Sequence, residues 1–275
     1  MTQRRRLPRS HGSIGTFRDK PMIKRVVFNQ KGGVGKTTIV CNLAAIAASR
    51  GLRTLVVDLD TQGNSSQYLL GRGVKAERSV ADFFESTLSF SLQSPPFVSY
   101  ATATPFDNLE VVAADPRLEE LIVKLEAKQK IYKLRDALRK IKGYDAVFID
   151  TPPALNFYSR SALIAADRVL IPFDCDEFSR QALYTLIDNI QEIRADHNDD
   201  LAIEGIVVNQ FQPRASLPAR VVEELKAEGR PLLAQTLSSS VKVKESHEKH
   251  KPLVFLDGSH RVTKEYLALF DALEA

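Results

Sequence analysis

Cysteine is scarce in this chain of 275 residues, with only Cys41 and Cys175, far apart in sequence. Two such residues are too few for the disulfide framework of a small secreted domain, so a reduced, intracellular protein is expected. Long apolar runs are missing as well. No stretch approaches the roughly 20 residues that a membrane-crossing helix needs, and the N-terminus lacks the apolar segment of a secretory signal, which together point to a soluble, cytoplasmic chain. Metal-ligand patterns are equally thin: His247-Glu248-Lys249-His250 has the wrong spacing for the zinc motif H-E-x-x-H and reads as a solvated helix face. Acidic residues are almost absent from the first twenty positions, where Asp19 alone stands against Arg4, Arg5, Arg6, Arg9, Arg18 and Lys20. With Pro8, Ser10, Gly12, Ser13 and Gly15 interspersed, residues 1–21 offer no apolar face to bury and read as a disordered basic arm. Such an arm is either a solvated tail or an electrostatic contact for nucleic acid or a partner. An Arg-rich start also suits an organellar transit peptide, but the long amphipathic pattern of one is missing.

What remains, residues 22–275, suffices for one substantial α/β core, given a hydrophobic content of 44%. Short β-like runs at Lys24–Asn29, Thr54–Asp58, Asp145–Asp150, Arg168–Pro172, Ile203–Asn209 and Leu232–Leu237 alternate with helical patterns. These helices fall at Thr37–Ser49, along one long amphipathic stretch from Leu118 to Ile141, and near Phe178–Arg194 and Pro218–Ala227. Alternation of this kind predicts a single-domain α/β fold, a mostly parallel sheet with helices on both faces.

The densest chemical information is Lys31-Gly32-Gly33-Val34-Gly35-Lys36-Thr37-Thr38, between the first strand and the first helix. Gly32, Gly33 and Gly35 let the main chain approach phosphate oxygens, and the following helix points free N–H groups at them. In such a loop Lys36 reaches the β- and γ-phosphates and the Thr37 hydroxyl ligates magnesium, so a nucleotide polyphosphate with Mg2+ is the expected ligand. The pattern departs from G-x-x-x-x-G-K-[ST] in having Gln30 where glycine is usual, followed by a second lysine, Lys31. Carboxylates are expected at neighbouring strand ends, where ligands bind in such sheets. Asp150 suits the magnesium shell, acting through water. Asp60 is placed to orient the attacking water or to join the metal shell, with Asp58 as its competitor.

Three segments together resemble the ParA/MinD group of deviant Walker-A ATPases: residues 29–38, Asp58-Leu59-Asp60-Thr61-Gln62-Gly63-Asn64, and Phe148-Ile149-Asp150-Thr151-Pro152-Pro153. The likeness runs over nearly everything after residue 22 and is greatest to short ParA partition ATPases without an N-terminal helix-turn-helix domain. It implies an ATP-dependent sandwich homodimer in which Lys31 crosses to the partner's nucleotide, Lys36 and Thr37 hold phosphate and magnesium, Asp60 supports hydrolysis and Asp150 the metal. It also implies non-specific DNA binding through Arg214, Lys242 and Lys244, with Lys249 and Lys251 as helpers. Asn209, at the end of a strand, would meet adenine. A ParB-like or other adaptor would raise turnover, and the cargo would be a plasmid, a chromosome origin or a protein cluster.

Thr61 and Ser238 stand where relatives of this group usually carry proline, and Lys242 stands where arginine is frequent. Other readings are weighed on residues. A MinD-like membrane-associated ATPase needs a basic amphipathic C-terminal helix, whereas residues 265–275 are interrupted by acidic groups and read as a helix docked on the core. An iron–sulfur protein of the nitrogenase type needs cysteines across a dimer, and Cys41 reads instead as a small core residue. A scaffold that binds ATP without turnover is disfavoured by the full set Lys31, Lys36, Thr37, Asp60 and Asp150.

Overall fold

The structure is a computed structural model that describes residues 21–89, 95–174, 179–211 and 216–275. Its centre is an eight-stranded sheet. In chain order the strands are β1 (Ile23–Val27), β2 (Thr54–Asp58), β3 (Ala101–Ala103), β4 (Leu109–Val112), β5 (Ala146–Asp150), β6 (Arg168–Asp174), β7 (Ala202–Phe211) and β8 (Leu232–Ser238). They lie side by side as β3-β4-β2-β5-β1-β6-β7-β8. Every pairing is parallel except β3 with β4, so the expected α/β architecture is present. The two strands absent from the sequence reading, β3 and β4, are short and extend one edge.

Helices cover both faces, and strand alternation explains why. Successive side chains point to opposite sides of a sheet. Thus Val26, Val57 and Ile149 enter one apolar cluster, while Val27, Val56 and Phe148 enter the other. The second cluster is closed by α1 (Lys36–Ser49), α2 (Asn64–Leu70), the short α10 (Leu253–Leu256) and the C-terminal α11 (Arg261–Glu274). The first is closed by α3 (Val80–Ser86), α4 (Leu118–Ala127), α5 (Lys133–Leu138), α6 (Phe157–Ala165), α7 (Ser179–His197) and α8 (Ser216–Ala227). One further helix, α9 (Val241–Glu248), carries no large share of either core.

The single amphipathic helix expected from Leu118 to Ile141 is two helices. Gln129 adopts a left-handed φ of 53°, and the chain closes there with Gln129 N–H on the Glu126 carbonyl at 2.9 Å and Lys130 N–H on the Leu125 carbonyl at 2.9 Å. Periodicity survives the break because Leu121, Leu125, Leu134 and Leu138 all face the same core. α11 docks as expected: Val262, Tyr266, Leu269 and Phe270 are buried. Its end is tied to β1 by Arg25, which is 1% exposed and pairs with Glu204 at 2.5 Å and Glu274 at 3.4 Å. The apolar face that a membrane anchor would need is therefore already covered. Among the described residues, no helix is long and apolar enough to cross a membrane.

Candidate functional site: a phosphate loop at the carboxyl end of the central strand

β1 lies between β5 and β6, and α1 begins nine residues after its last residue. The connecting loop is shaped by glycine at two positions. Gly33 has φ +77° and Gly35 φ +89°, a left-handed geometry that other residues adopt at a cost. At Gly35 space is also closed: a Cβ there would sit 2.2 Å from the side-chain nitrogen of Asn209. Two side chains from the end of β7 brace the loop from outside. Asn209 donates to the Val34 carbonyl at 2.8 Å, and Gln210 to the Gly33 carbonyl at 2.8 Å. Sequence reasoning gave Asn209 to adenine; the contact seen is with the loop itself, and Gln210, held at φ 55°, was missed.

Lys36 is the charged centre of this arrangement. It is 7% exposed, and its ammonium donates to the Lys31 carbonyl at 3.0 Å. Burial lowers its pKa, opposed by the charges of Asp150 and Asp60. A mostly buried ammonium held by one loop carbonyl is a site prepared for an anion. Lys31 is half-exposed, 3.7 Å from the Asp174 carboxylate, and its own N–H is held by the Asn29 side chain at 2.9 Å.

Asp150 closes the other side. It is fully buried and accepts from the Thr37 hydroxyl at 2.7 Å and the Ser65 hydroxyl at 2.7 Å, while Thr151 N–H donates to its second oxygen at 3.0 Å. Asp58, its neighbour on β2, accepts from Ser66 N–H at 2.8 Å, from the Ser66 hydroxyl at 2.7 Å and from Asp60 N–H at 3.2 Å. One Asp58 oxygen thus fixes Ser66 at the start of α2, and the other holds the Asp60 backbone. Asp60 differs: it is 7% exposed at the rim of the crevice and caps the next turn by accepting from Gln62 N–H at 3.0 Å. Ser65 and Ser66 carry no motif that would have announced them.

Burial raises the Asp58 carboxyl to about 8, helped by the charge of Asp150, and raises Asp150 to about 6. A carboxyl that holds its proton more tightly folded than unfolded stabilises the fold below its unfolded pKa, and that contribution is lost as pH rises through the folded value. His247, whose pKa is lowered by burial, works in the opposite sense below about pH 6.5. Above it the remaining opposing group is Lys36, whose pKa burial also lowers, so the test is made on Lys36→Met, which removes that titration. Between about pH 7 and about pH 8 the melting temperature of the nucleotide-free variant should fall by about 2 °C. A flat or rising melting curve over that window would show that Asp58 is already ionised.

The crevice has a volume of 530 Å³ and is lined by the loop, by Asp60 and Gln62, and by His247 and His250. Here the expectation of a solvated histidine pair fails. His247 stacks on Tyr68 with ring centroids 4.2 Å apart and bonds the Thr38 hydroxyl through Nε2 at 2.9 Å. Tyr68 in turn meets the Ser246 hydroxyl at 2.9 Å. The neighbouring charges made α9 look solvated; its partners lie on α1 and α2, which no local pattern reveals. Lys242 and Lys244 occupy the same helix. Lys242 pairs with Glu245 at 2.9 Å, and Lys244 is exposed. Arg214, Cys175 and residues 1–20 of the basic arm lie outside the described residues. Cys41 is buried, donates to the Ser65 hydroxyl at 3.3 Å, and its thiol pKa is raised by burial, as suits a core residue.

The residues present fit a magnesium nucleotide. A Gly-shaped cradle, a buried ammonium and a hydroxyl–carboxylate pair of hard oxygens are brought together by β1, β2 and β5.

Known proteins share this organisation. A family described as an AAA domain matches residues 23–203. The chain is 36% identical over 246 residues to the chromosome partitioning protein ParA of Myxococcus xanthus, spanning 88% of this chain and 84% of that protein. It is 32% identical over 246 residues to the sporulation initiation inhibitor protein Soj of Bacillus subtilis, spanning 88% and 94%. Among solved structures, cobyrinic acid a,c-diamide synthase of Mycobacterium smegmatis with a bound ATP analog and magnesium superposes with a TM-score of 0.78. At 24% identity over 92% of this chain and 95% of the other, that likeness concerns the fold.

Proposed function

The chain belongs to the ParA family of partition ATPases, and from that premise we propose that it dimerises on ATP, binds DNA without sequence preference, and uses slow hydrolysis to position a cargo. The observation that carries this reading is the buried Lys36 ammonium facing Asp60 and Asp150. Bound magnesium would neutralise phosphate charge and order the phosphate oxygens. Each residue of the chain has its part. The loop N–H groups and Lys36 grip the phosphates, Thr37 and Asp150 offer oxygens to the metal shell, and Asp60 at the rim orients the attacking water. Asn209, already bracing the loop, stands at the strand end assigned to adenine.

Lys31 is the part that makes the switch bimolecular. Its half-exposed position at the start of the loop, beside Asp174, supports a reach across a dimer interface toward the partner's nucleotide. DNA then meets Lys242 and Lys244 on α9, with Arg214 as a third contact; such phosphate contacts confer affinity without sequence information and are steeply salt-dependent. An adaptor of ParB type raises turnover, and the protein works in the cytoplasm on the nucleoid. No lipid anchor enters this reading, since α11 is packed against β8 and α1.

The test couples three readouts: magnesium-dependent ATP turnover, sedimentation with and without a non-hydrolysable ATP analogue, and duplex binding under the same conditions. The wild-type chain should dimerise and bind duplex only with the analogue. Lys31→Ala should bind the analogue within about threefold of wild type yet remain monomeric, losing at least about tenfold in duplex affinity. A monomeric wild-type chain that binds DNA equally well without nucleotide would overturn the reading.

A further inference from the structure

A second concavity, of 1070 Å³, lies away from the nucleotide crevice. One wall is the end of α3 with the helical turn Phe97–Tyr100; the other is the connection from α4 to α5 and the segment after α5. Lys140 and Lys142 come just before the first residue of β5, whereas Asp150 at that strand's far end belongs to the phosphate site. The groove therefore sits at the amino ends of the parallel strands, at the opposite pole from the phosphate loop. Nothing in nucleotide binding accounts for it.

Its chemistry is of two kinds. The floor is apolar and aromatic: Phe83 and Phe97 meet edge to face at 4.8 Å, and Val98, 36% exposed, and Ile141 flank them. The rim is cationic, with Lys128, Lys130, Lys133, Lys140 and Lys142 against Asp136 alone among the described lining residues. None of these five lysines forms an ion pair with a described carboxylate; Lys128 donates instead to the Leu88 carbonyl at 2.8 Å.

The clustering runs against the rest of the domain. Of 38 basic and 34 acidic residues in the chain, six and one fall within residues 1–20, which leaves 32 basic and 33 acidic in the remainder. Against that near balance, residues 124–142 alone hold eight basic and two acidic groups. Like charges gathered with few counter-charges repel one another and favour a complementary partner.

We infer that this groove docks an acidic peptide segment of a partner protein, one that also inserts a large apolar side chain between the lysines. The lysine rim selects carboxylates, and the recessed aromatic floor gives the apolar residue a place that a convex duplex would leave unfilled. Duplex phosphates would meet the rim alone.

The experiment uses the full chain and three fluorescent probes: a 12-residue Glu/Asp peptide with a central Phe-Leu, the same peptide with Ser-Ser in place of Phe-Leu, and a 20-base-pair duplex. The Phe-Leu peptide should bind in a salt-sensitive manner and at least about fivefold more tightly than the Ser-Ser peptide. Combined Lys133→Glu, Lys140→Glu and Lys142→Glu should weaken peptide binding at least about tenfold. Magnesium-dependent ATP turnover and the melting temperature should be unchanged, since none of these residues belongs to the phosphate site. Val98→Ser should weaken the Phe-Leu peptide and leave the Ser-Ser peptide unaffected. Absence of peptide binding by the wild type, or equal binding by the triple variant, would overturn the inference. So would a triple variant that loses only the duplex, which would make the surface a nucleic-acid contact.

Discussion

Lys36→Ala should weaken binding of a non-hydrolysable ATP analogue at least about 100-fold, measured by titration calorimetry in the presence of magnesium. The size follows from what the ammonium does. It is nearly enclosed, it has one neutral acceptor at 3.0 Å, and it faces two carboxylates that it partly offsets. A charge-assisted contact to phosphate is worth about 1.5–3 kcal/mol, and an ammonium that reaches two phosphates makes more than one; each 1.4 kcal/mol is tenfold in affinity. Removal acts a second time through the carboxylates. With the cation gone, Asp60 and Asp150 face the incoming phosphates uncompensated. Lys36→Met, which keeps the stem and loses only the charge, should fail to the same degree. Retained affinity in that variant would place the phosphates elsewhere.

Asp60→Ala should keep nucleotide affinity within about threefold while turnover falls by about 100-fold or more, a loss of the size that follows removal of a group acting on the attacking water. Dimer should then accumulate on DNA, because the exit step is blocked. The alternative residue, Asp58, has its oxygens committed to Ser66 and to the Asp60 backbone. Asp58→Ala should therefore act on stability through α2, lowering the melting temperature and leaving turnover per folded molecule largely intact. Pre-steady-state phosphate release on both variants separates the two carboxylates. Undiminished turnover in Asp60→Ala would remove it from the reaction.

Much of this was legible in the residues. The phosphate loop, the strands before and beside it, and the carboxylates Asp60 and Asp150 follow from local pattern, because a loop that holds phosphate needs glycine, lysine and a helix start in fixed order. What local pattern missed depends on contacts between distant segments. A left-handed Gln129 splits one apparent helix while the leucine spacing continues through it. His247 looked like part of a solvated charged run, yet Tyr68, 179 residues earlier, supplies the ring against which it stacks. Asn209 was placed correctly at the end of β7, but its bond to the Val34 carbonyl appears only when β7 and the loop after β1 are set side by side. The strands β3 and β4 are too short to show a period, and their place at the sheet edge comes from the pairing of β4 with β2 and of β3 with β4.

The placement of β1 between β5 and β6 also governs how the protein comes into being. Lys36 leaves the ribosome early, but Asp150 and the bracing pair Asn209 and Gln210 are made more than a hundred residues later. Such long-range pairing is slow, since loop closure must precede the contacts that reward it. A nascent chain halted before β7 would own every glycine and lysine of the loop without the walls that hold it in shape.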